Sequence, residues 1–121
     1  IHSEYAHVTS EVVNKILQAK AKGKKVTAVG TTVTRALESA FHKRTPGDFK
    51  GYTKLYITPG FSFQAVDRLI TNFHLPKSSL LMLVAAFVGM KEMKDLYNHA
   101  VENQYRFLSY GDAMMINKKN V

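Results

Sequence analysis

LITNFHLPKSSLLMLVAAFVGM, residues 69–90, places Thr71, Asn72 and His74 directly before the most apolar run in the chain. Two architectures fit that order. One is a polar head followed by a membrane anchor. The other is a strand that delivers polar groups to a pocket, followed by a buried helix. The run from Leu80 to Met90 falls far short of the ~20 residues needed to span a bilayer. The second architecture is therefore expected: a strand over Leu69–Phe73, a turn at Leu75-Pro76, and a helix capped by Ser78 or Ser79 that runs to about Val88.

The segment upstream has the same grammar. In KVTAVGTTVTRALESAF, residues 25–41, Val26–Val29 is expected as a strand and Gly30 breaks it. Thr31 or Thr32 is expected to cap a helix whose apolar stripe is Val33, Ala36, Leu37 and Ala40. Before it, Tyr5–Val8 is expected as a short strand. A helix then starts at Thr9 or Ser10, buries Val12, Val13, Ile16, Leu17 and Ala21, and closes at Gly23. Arg44–Gly51 is expected as a loop from its Pro, Gly and Asp content, and Leu55–Thr58 as a strand stopped by Pro59-Gly60. Met93–Tyr105 is expected as an amphipathic helix with Leu96, Tyr97, Ala100 and Val101 inward, and Ala113–Ile116 as a closing strand. This alternation predicts an α/β fold with largely parallel strands and outer helices. Ligands of such folds gather at the C-terminal ends of strands. Three polar clusters are expected there: Gly30-Thr31-Thr32, Pro59-Gly60-Phe61-Ser62 and Asn72-Phe73-His74.

The 121 residues suit one domain or a large piece of one, here taken as a single unit over 1–121. Ile1 in place of a start methionine, and a first stretch IHSEYAHV without a basic head and apolar core, predict a chain that begins inside a longer protein and carries no signal peptide. The absence of cysteine excludes disulfides, thiolate catalysis and cysteine-based zinc sites, and fits a cytoplasmic protein. A net charge of +8 and a pI near 9.8 favour anionic partners such as nucleic acid or phosphates, although lysine-rich helices also stay soluble for no further reason. The cations form two groups. Lys15, Lys20, Lys22, Lys24 and Lys25 crowd one helix end, and Lys43, Arg44, Lys50 and Lys54 surround a later loop.

Each motif has a functional meaning and a plainer one. GTTVTRALES offers backbone N–H groups and two hydroxyls at a helix start, a device for anions or ribose, but lacks the Gly-Lys-Ser/Thr of a P-loop. Arg35 and Glu38 lie one turn apart, and a surface ion pair is the plain alternative. His74 suits proton transfer or hydrogen bonding, and equally a structural turn. YRFLSYGDAMMI, residues 105–116, suits base stacking and phosphate contact, or a buried aromatic turn with Asp112 bonding backbone N–H groups around Gly111. HSE at residues 2–4 begins like a zinc deaminase signature, whose Pro-Cys-x-x-Cys partner cannot exist here. His2, His7, His42 and His99 show no paired ligand spacing, so no metal is expected.

Taken together and in order, HSEY, AVGTTVTRALES, PGF…LITNFHLP…LLMLV and YRFLSYGDAMMI closely resemble the C-terminal part of the S-adenosylmethionine:tRNA ribosyltransferase-isomerase family of queuosine biosynthesis. The resemblance spans nearly the whole chain, leaving out the loop from His42 to Lys54 and the tail. It implies an α/β barrel-like domain, truncated here on its N-terminal side and without the family's inserted small β domain. It also implies a reaction. The ribosyl part of S-adenosylmethionine, a cosubstrate, moves to an aminomethyl-deazaguanine at the tRNA wobble position, giving epoxyqueuosine with loss of adenine and methionine.

On that resemblance, His74, Glu38, Glu4 and His2 are candidate acid/base groups. Arg35 and Arg106 suit phosphate or a carboxylate, because the guanidinium fork matches such oxygens. Thr31, Thr32 and Asn72 suit ribose hydroxyls, and Tyr110 and Asp112 suit the sulfonium or the base. The chain alone is expected to be inactive and to self-associate through exposed barrel edges. A non-catalytic RNA-binding module, or another nucleotide-dependent transferase, would account for the charge as well.

Overall fold

The chain, in a computed structural model that describes residues 3–119, follows the expected order: β1 (Glu4–Val8), α1 (Ser10–Ala21), β2 (Thr27–Val29), α2 (Thr31–Phe41), β3 (Phe49–Thr53), β4 (Arg68–Asn72), α3 (Ser79–Val88), α4 (Met90–Glu102) and β5 (Ala113–Asn117). Local chemistry sets several boundaries. Thr9 Oγ1 accepts the Val12 N–H at 3.2 Å and starts α1, and Ser78 Oγ accepts the Leu81 N–H at 3.1 Å and starts α3. The start of α2 differs from expectation: its N-cap is Gly30, at φ 98°, and no side chain caps it. Thr31 and Thr32 sit in the first turn instead, and Thr34 Oγ1 donates to the Gly30 carbonyl at 3.0 Å.

The expectation of largely parallel strands is corrected. A three-stranded sheet has the order β2-β4-β5, with β2–β4 parallel and β4–β5 antiparallel, and β1 and β3 form a separate antiparallel ribbon. Connectivity explains the directions. One helix, α2, carries the chain from the top of β2 back to the bottom, so β4 runs parallel to β2. Two helices, α3 and α4, fold back on each other about Gly89 (φ 98°) and return the chain to the top, so β5 must run the other way. The result is a mixed α/β arrangement with no closed barrel among the described residues.

The third strand is also displaced. Phe49–Thr53, expected partly as loop, pairs with β1 in the register Glu4↔Thr53 to Val8↔Phe49, while Leu55–Thr58 joins no ladder. The apolar content of Leu55–Thr58 signals burial: Ile57 is 2% exposed, and the Leu55 carbonyl is taken by Arg35 Nε at 3.1 Å. Loop composition in Arg44–Gly51 gave no hint of a partner strand forty residues upstream. The stripe expected on α1 thins to Val13, with Val12 and Leu17 exposed, because that helix lies at the margin of the fold.

The core lies between the three-stranded sheet and its helices. Ala28, Leu69 and Ile116 supply the central layer, and α3 buries Leu81, Leu83, Val84, Ala85, Phe87 and Val88, as a helix apolar on several sides must. Among the described residues no helix is long and apolar enough to cross a membrane.

Candidate functional site

Parallel pairing puts the C-terminal ends of β2 and β4 side by side, and antiparallel pairing brings the start of β5 to the same end. The Gly30 N–H extends the β2–β4 ladder by donating to the Ile70 carbonyl at 2.8 Å. Asn72 lies opposite Ala113, and its Nδ2 donates to the Asp112 carbonyl at 3.2 Å. Segments separated by some forty residues each, around Gly30-Thr31, Asn72-His74 and Asp112, thus converge on one rim of the sheet.

Asp112 organises its own segment. Its carboxylate accepts the Arg106 N–H at 2.7 Å and its N–H donates to the Arg106 carbonyl at 2.8 Å, closing a loop over Arg106–Asp112. Gly111 packs so tightly inside that loop that a Cβ would collide with the carbonyls of Arg106 and Phe107. The turn presents Arg106 and Tyr110 to solvent, Tyr110 completely.

His74 stands half-buried at the β4 end. Its Nε2 is 3.2 Å from Thr71 Oγ1, and its backbone N–H donates to the Tyr97 hydroxyl at 3.0 Å. Burial lowers its pKa from the ordinary 6.5, so the ring is neutral at pH 7. Phe73, between these polar neighbours, points into an aromatic cluster with Tyr97, Phe107 and Tyr105, at centroid distances of 5.4, 5.5 and 5.7 Å. That cluster, with the Leu108 N–H bond to the Phe73 carbonyl, holds the strand end rigid. Tyr97 was legible only as an inward residue of a helical stripe; no local motif marks it as the anchor of His74.

Arg35 and Glu38 are not a surface pair: they are 5% and 0% exposed. Arg35 Nη1 meets Glu4 Oε1 at 2.8 Å, and Thr32 Oγ1 donates to Glu4 Oε2 at 3.2 Å. Glu4, Thr32 and Arg35 therefore form one network that ties the β1–β3 ribbon to the first turns of α2. Glu38 faces elsewhere. Its carboxylate accepts the N–H groups of Gln64 (2.8 Å), Ala65 (3.0 Å) and Val66 (2.9 Å), with His42 Nε2 at 3.3 Å. This geometry fixes the turn before β4 and leaves no open face on the carboxylate.

Pro59-Gly60-Phe61-Ser62 departs from its expected place. With Leu55–Thr58 outside the ladders, it ends no strand and lies at the opposite end of the sheet, in a cavity of about 630 Å3 that it shares with Phe87, Gly89, Lys118 and Lys119. Nearby Asp67, unmarked in the sequence, accepts the Val26 N–H at 2.9 Å and pairs with Lys20 (3.1 Å) and Lys118 (3.5 Å). Burial pushes the Asp67 carboxyl up, but those partners outweigh it and hold its pKa below the ordinary value. That cavity is the roomier feature, yet its lining is mostly apolar. The rim of β2, β4 and β5 gathers the groups able to take hydroxyls, protons and anions. His2 lies outside the described residues, and among those described no group of three or more His, Asp or Glu is placed to hold a metal ion.

A family model described as "Queuosine biosynthesis protein" matches residues 1–116. A relative from Halothermothrix orenii named S-adenosylmethionine:tRNA ribosyltransferase-isomerase is 57% identical over 117 residues, which is 96% of this chain and 34% of the relative. One from Psychrobacter cryohalolentis with the same name is 52% identical over 124 residues, covering 98% of this chain and 31% of the relative. The solved S-adenosylmethionine tRNA ribosyltransferase of Thermotoga maritima superposes with a TM-score of 0.88 at 46% identity, over 93% of this chain and 40% of that one. The chain thus spans about a third of the length of the curated relatives it matches.

Proposed function

The chain belongs to the queuosine biosynthesis protein family, and on that premise we propose that it supplies part of the active site of an S-adenosylmethionine:tRNA ribosyltransferase-isomerase. In this reading the protein moves the ribosyl part of S-adenosylmethionine, its cosubstrate, to an aminomethyl-deazaguanine at the wobble position of a tRNA in the cytoplasm. Epoxyqueuosine forms, and adenine and methionine leave. The observation that carries this reading is the convergence of Gly30–Thr32, Asn72–His74 and Arg106–Asp112 on one rim of the β2-β4-β5 sheet.

The chain's own residues divide the work. His74, neutral through burial, takes a proton from the attacking exocyclic amine, which must lose it to become nucleophilic and stay bonded. Thr31, Thr32 and Asn72 bind ribose hydroxyls. Arg106, exposed on its loop, holds a phosphate or the methionine carboxylate. Tyr110 and Asp112 meet the sulfonium or the base. Glu4 is the second acid/base candidate, with Arg35 as the positioning residue that holds its carboxylate at 2.8 Å. Glu38 acts as a positioning residue through the Gln64–Val66 turn.

In the longer protein the two sheets join a barrel-like domain, of which residues 1–121 are one piece. The isolated chain is inactive and self-associates through its unpaired strand edges. Nucleoside mass spectrometry tests the activity: the full-length protein with modified tRNA should yield epoxyqueuosine only when S-adenosylmethionine is present, and His74→Ala should abolish most of it. Product from the variant at the wild-type rate would remove His74 from the site. Binding of tRNA with no turnover and no response to S-adenosylmethionine would favour a non-catalytic RNA-binding module. Sedimentation velocity of the isolated chain should show concentration-dependent association, and a monomer throughout would refute the edge argument.

A further inference from the structure

The β1–β3 ribbon has two unlike faces. One carries Val8 and Thr53 inward, 5% and 2% exposed, against α2. The other turns Tyr5, His7, Lys50 and Tyr52 to solvent. Tyr5 and Tyr52 are 55% and 65% exposed, stand opposite one another in the register, and pack edge to face at a centroid distance of 5.5 Å. His7 and Lys50 are the next pair on the same face, since side chains two apart on a strand share a side. Beyond the strand end, Lys54 and the 52% exposed Tyr56 continue the series. Over residues 42–56, Lys43, Arg44, Lys50 and Lys54 face the single acid Asp48. The one carboxylate within the two strands, Glu4, is engaged by Arg35 and Thr32.

Exposed rings pre-packed on a rigid ladder and interleaved with lysines are poor material for a solvated surface and good material for unpaired nucleotides. Each ring offers a π face to a base, and each ammonium meets a phosphate. We infer that this ribbon face is a single-stranded RNA platform, on which unpaired bases of the RNA substrate stack against Tyr5 and Tyr52 while Lys50 and Lys54 hold the backbone. The inference rests on the tRNA reading above and extends it to a surface outside the proposed chemical site. The position fits. Glu4, on the inner face of the strand whose outer face carries Tyr5, is bonded to the first turns of α2, so the platform lies on the solvent side of the ribbon that this network fastens beside the strand-end rim.

The test uses the full-length protein and a synthetic anticodon stem–loop RNA, with affinity read by fluorescence anisotropy over a salt series. Tyr5→Ala and Tyr52→Ala should each weaken binding about tenfold, the effect of losing one base–aromatic stack, while the Phe variants retain it. The double variant Lys50→Ala/Lys54→Ala should flatten the dependence of log K on log salt by about 1.4, as expected for two single-strand phosphate contacts. S-adenosylmethionine affinity should not move in any of these variants, and the melting temperature should fall only by the few degrees that loss of the Tyr5–Tyr52 ring pair accounts for, with the lysine variant unchanged. Wild-type binding of the RNA with all variants unaffected would overturn the platform and leave the wider reading standing. Failure of the wild type to bind the RNA at all would overturn both. Hydroxyl-radical footprinting that finds Tyr5 and Tyr52 shielded before RNA is added would assign the face to the rest of the polypeptide and likewise overturn the platform.

Discussion

Glu38 offers the sharpest test of how the site is supported. Its carboxylate is fully buried and is the acceptor for three successive backbone N–H groups at 2.8–3.0 Å. Two of those donors, on Ala65 and Val66, belong to residues with 0% exposure and cannot turn to water. Stranding a buried donor costs about 1–3 kcal/mol, so Glu38→Ala should lose about 2–6 kcal/mol, a large share of the ~5–15 kcal/mol that holds a typical domain together. Gln64 is exposed, and its N–H regains water. Glu38→Gln should lose less, about 1–2 kcal/mol. Ala65 and Val66 share Oε2, which an amide oxygen can replace, while the amide NH2 then faces the Gln64 N–H as donor against donor. Urea unfolding of the chain at one matched protein concentration, followed by far-ultraviolet circular dichroism, measures both relative to wild type, with unchanged m-values as the control. In the full-length protein, Glu38→Gln should keep most of its turnover, because a positioning oxygen survives where a catalytic carboxylate would not. An alanine variant within 1 kcal/mol of wild type, or a glutamine variant as inactive as a His74 variant, would refute the assignment.

Three further outcomes are expected. Burial lowers the His74 pKa below 6.5, so just under that pH the unfolded chain binds the extra proton. The stability advantage of wild type over His74→Asn should be complete above pH 6.5 and shrink as pH falls through the folded value, and a pH-independent difference in urea midpoints would contradict the burial argument. Asp67 is depressed below 3.8, so its contribution should be complete above that pH and lost only as pH falls through its lower folded value; a gap between wild type and Asp67→Asn that closes already at pH 6 would speak against the lysine pairing. Gly111→Ala forces a Cβ into the carbonyls of Arg106 and Phe107 and should cost about 1–3 kcal/mol while shifting the Arg106–Asp112 loop, so urea midpoints and loop amide exchange equal to wild type would contradict the packing.

Some of this was legible in short stretches. Thr9 and Ser78 do start helices, and Gly23 ends one, because capping needs only neighbours three or four residues away. The polar tips of β2 and β4 were visible as Gly-Thr-Thr and Asn-Phe-His for the same reason: a strand, a breaker and a helix are local events. The ribbon was not legible, because Phe49–Thr53 becomes a strand only against Glu4–Val8, and a residue cannot announce a partner so far away. Arg35 and Glu38 show the same limit within the site. One helical turn apart, they suggested each other, but their partners are Glu4 from β1 and the turn at Gln64–Val66.

The sequence by itself determined the element order, the apolar burial of Leu80–Val88 and the family, since composition, periodicity and motif order are properties of the chain read in one direction. Tertiary structure alone decided strand direction, the split into ribbon and sheet, and which polar groups share a rim. Those depend on whether one helix or two return the chain between strands, and on long-range hydrogen bonds that buried donors and acceptors must find.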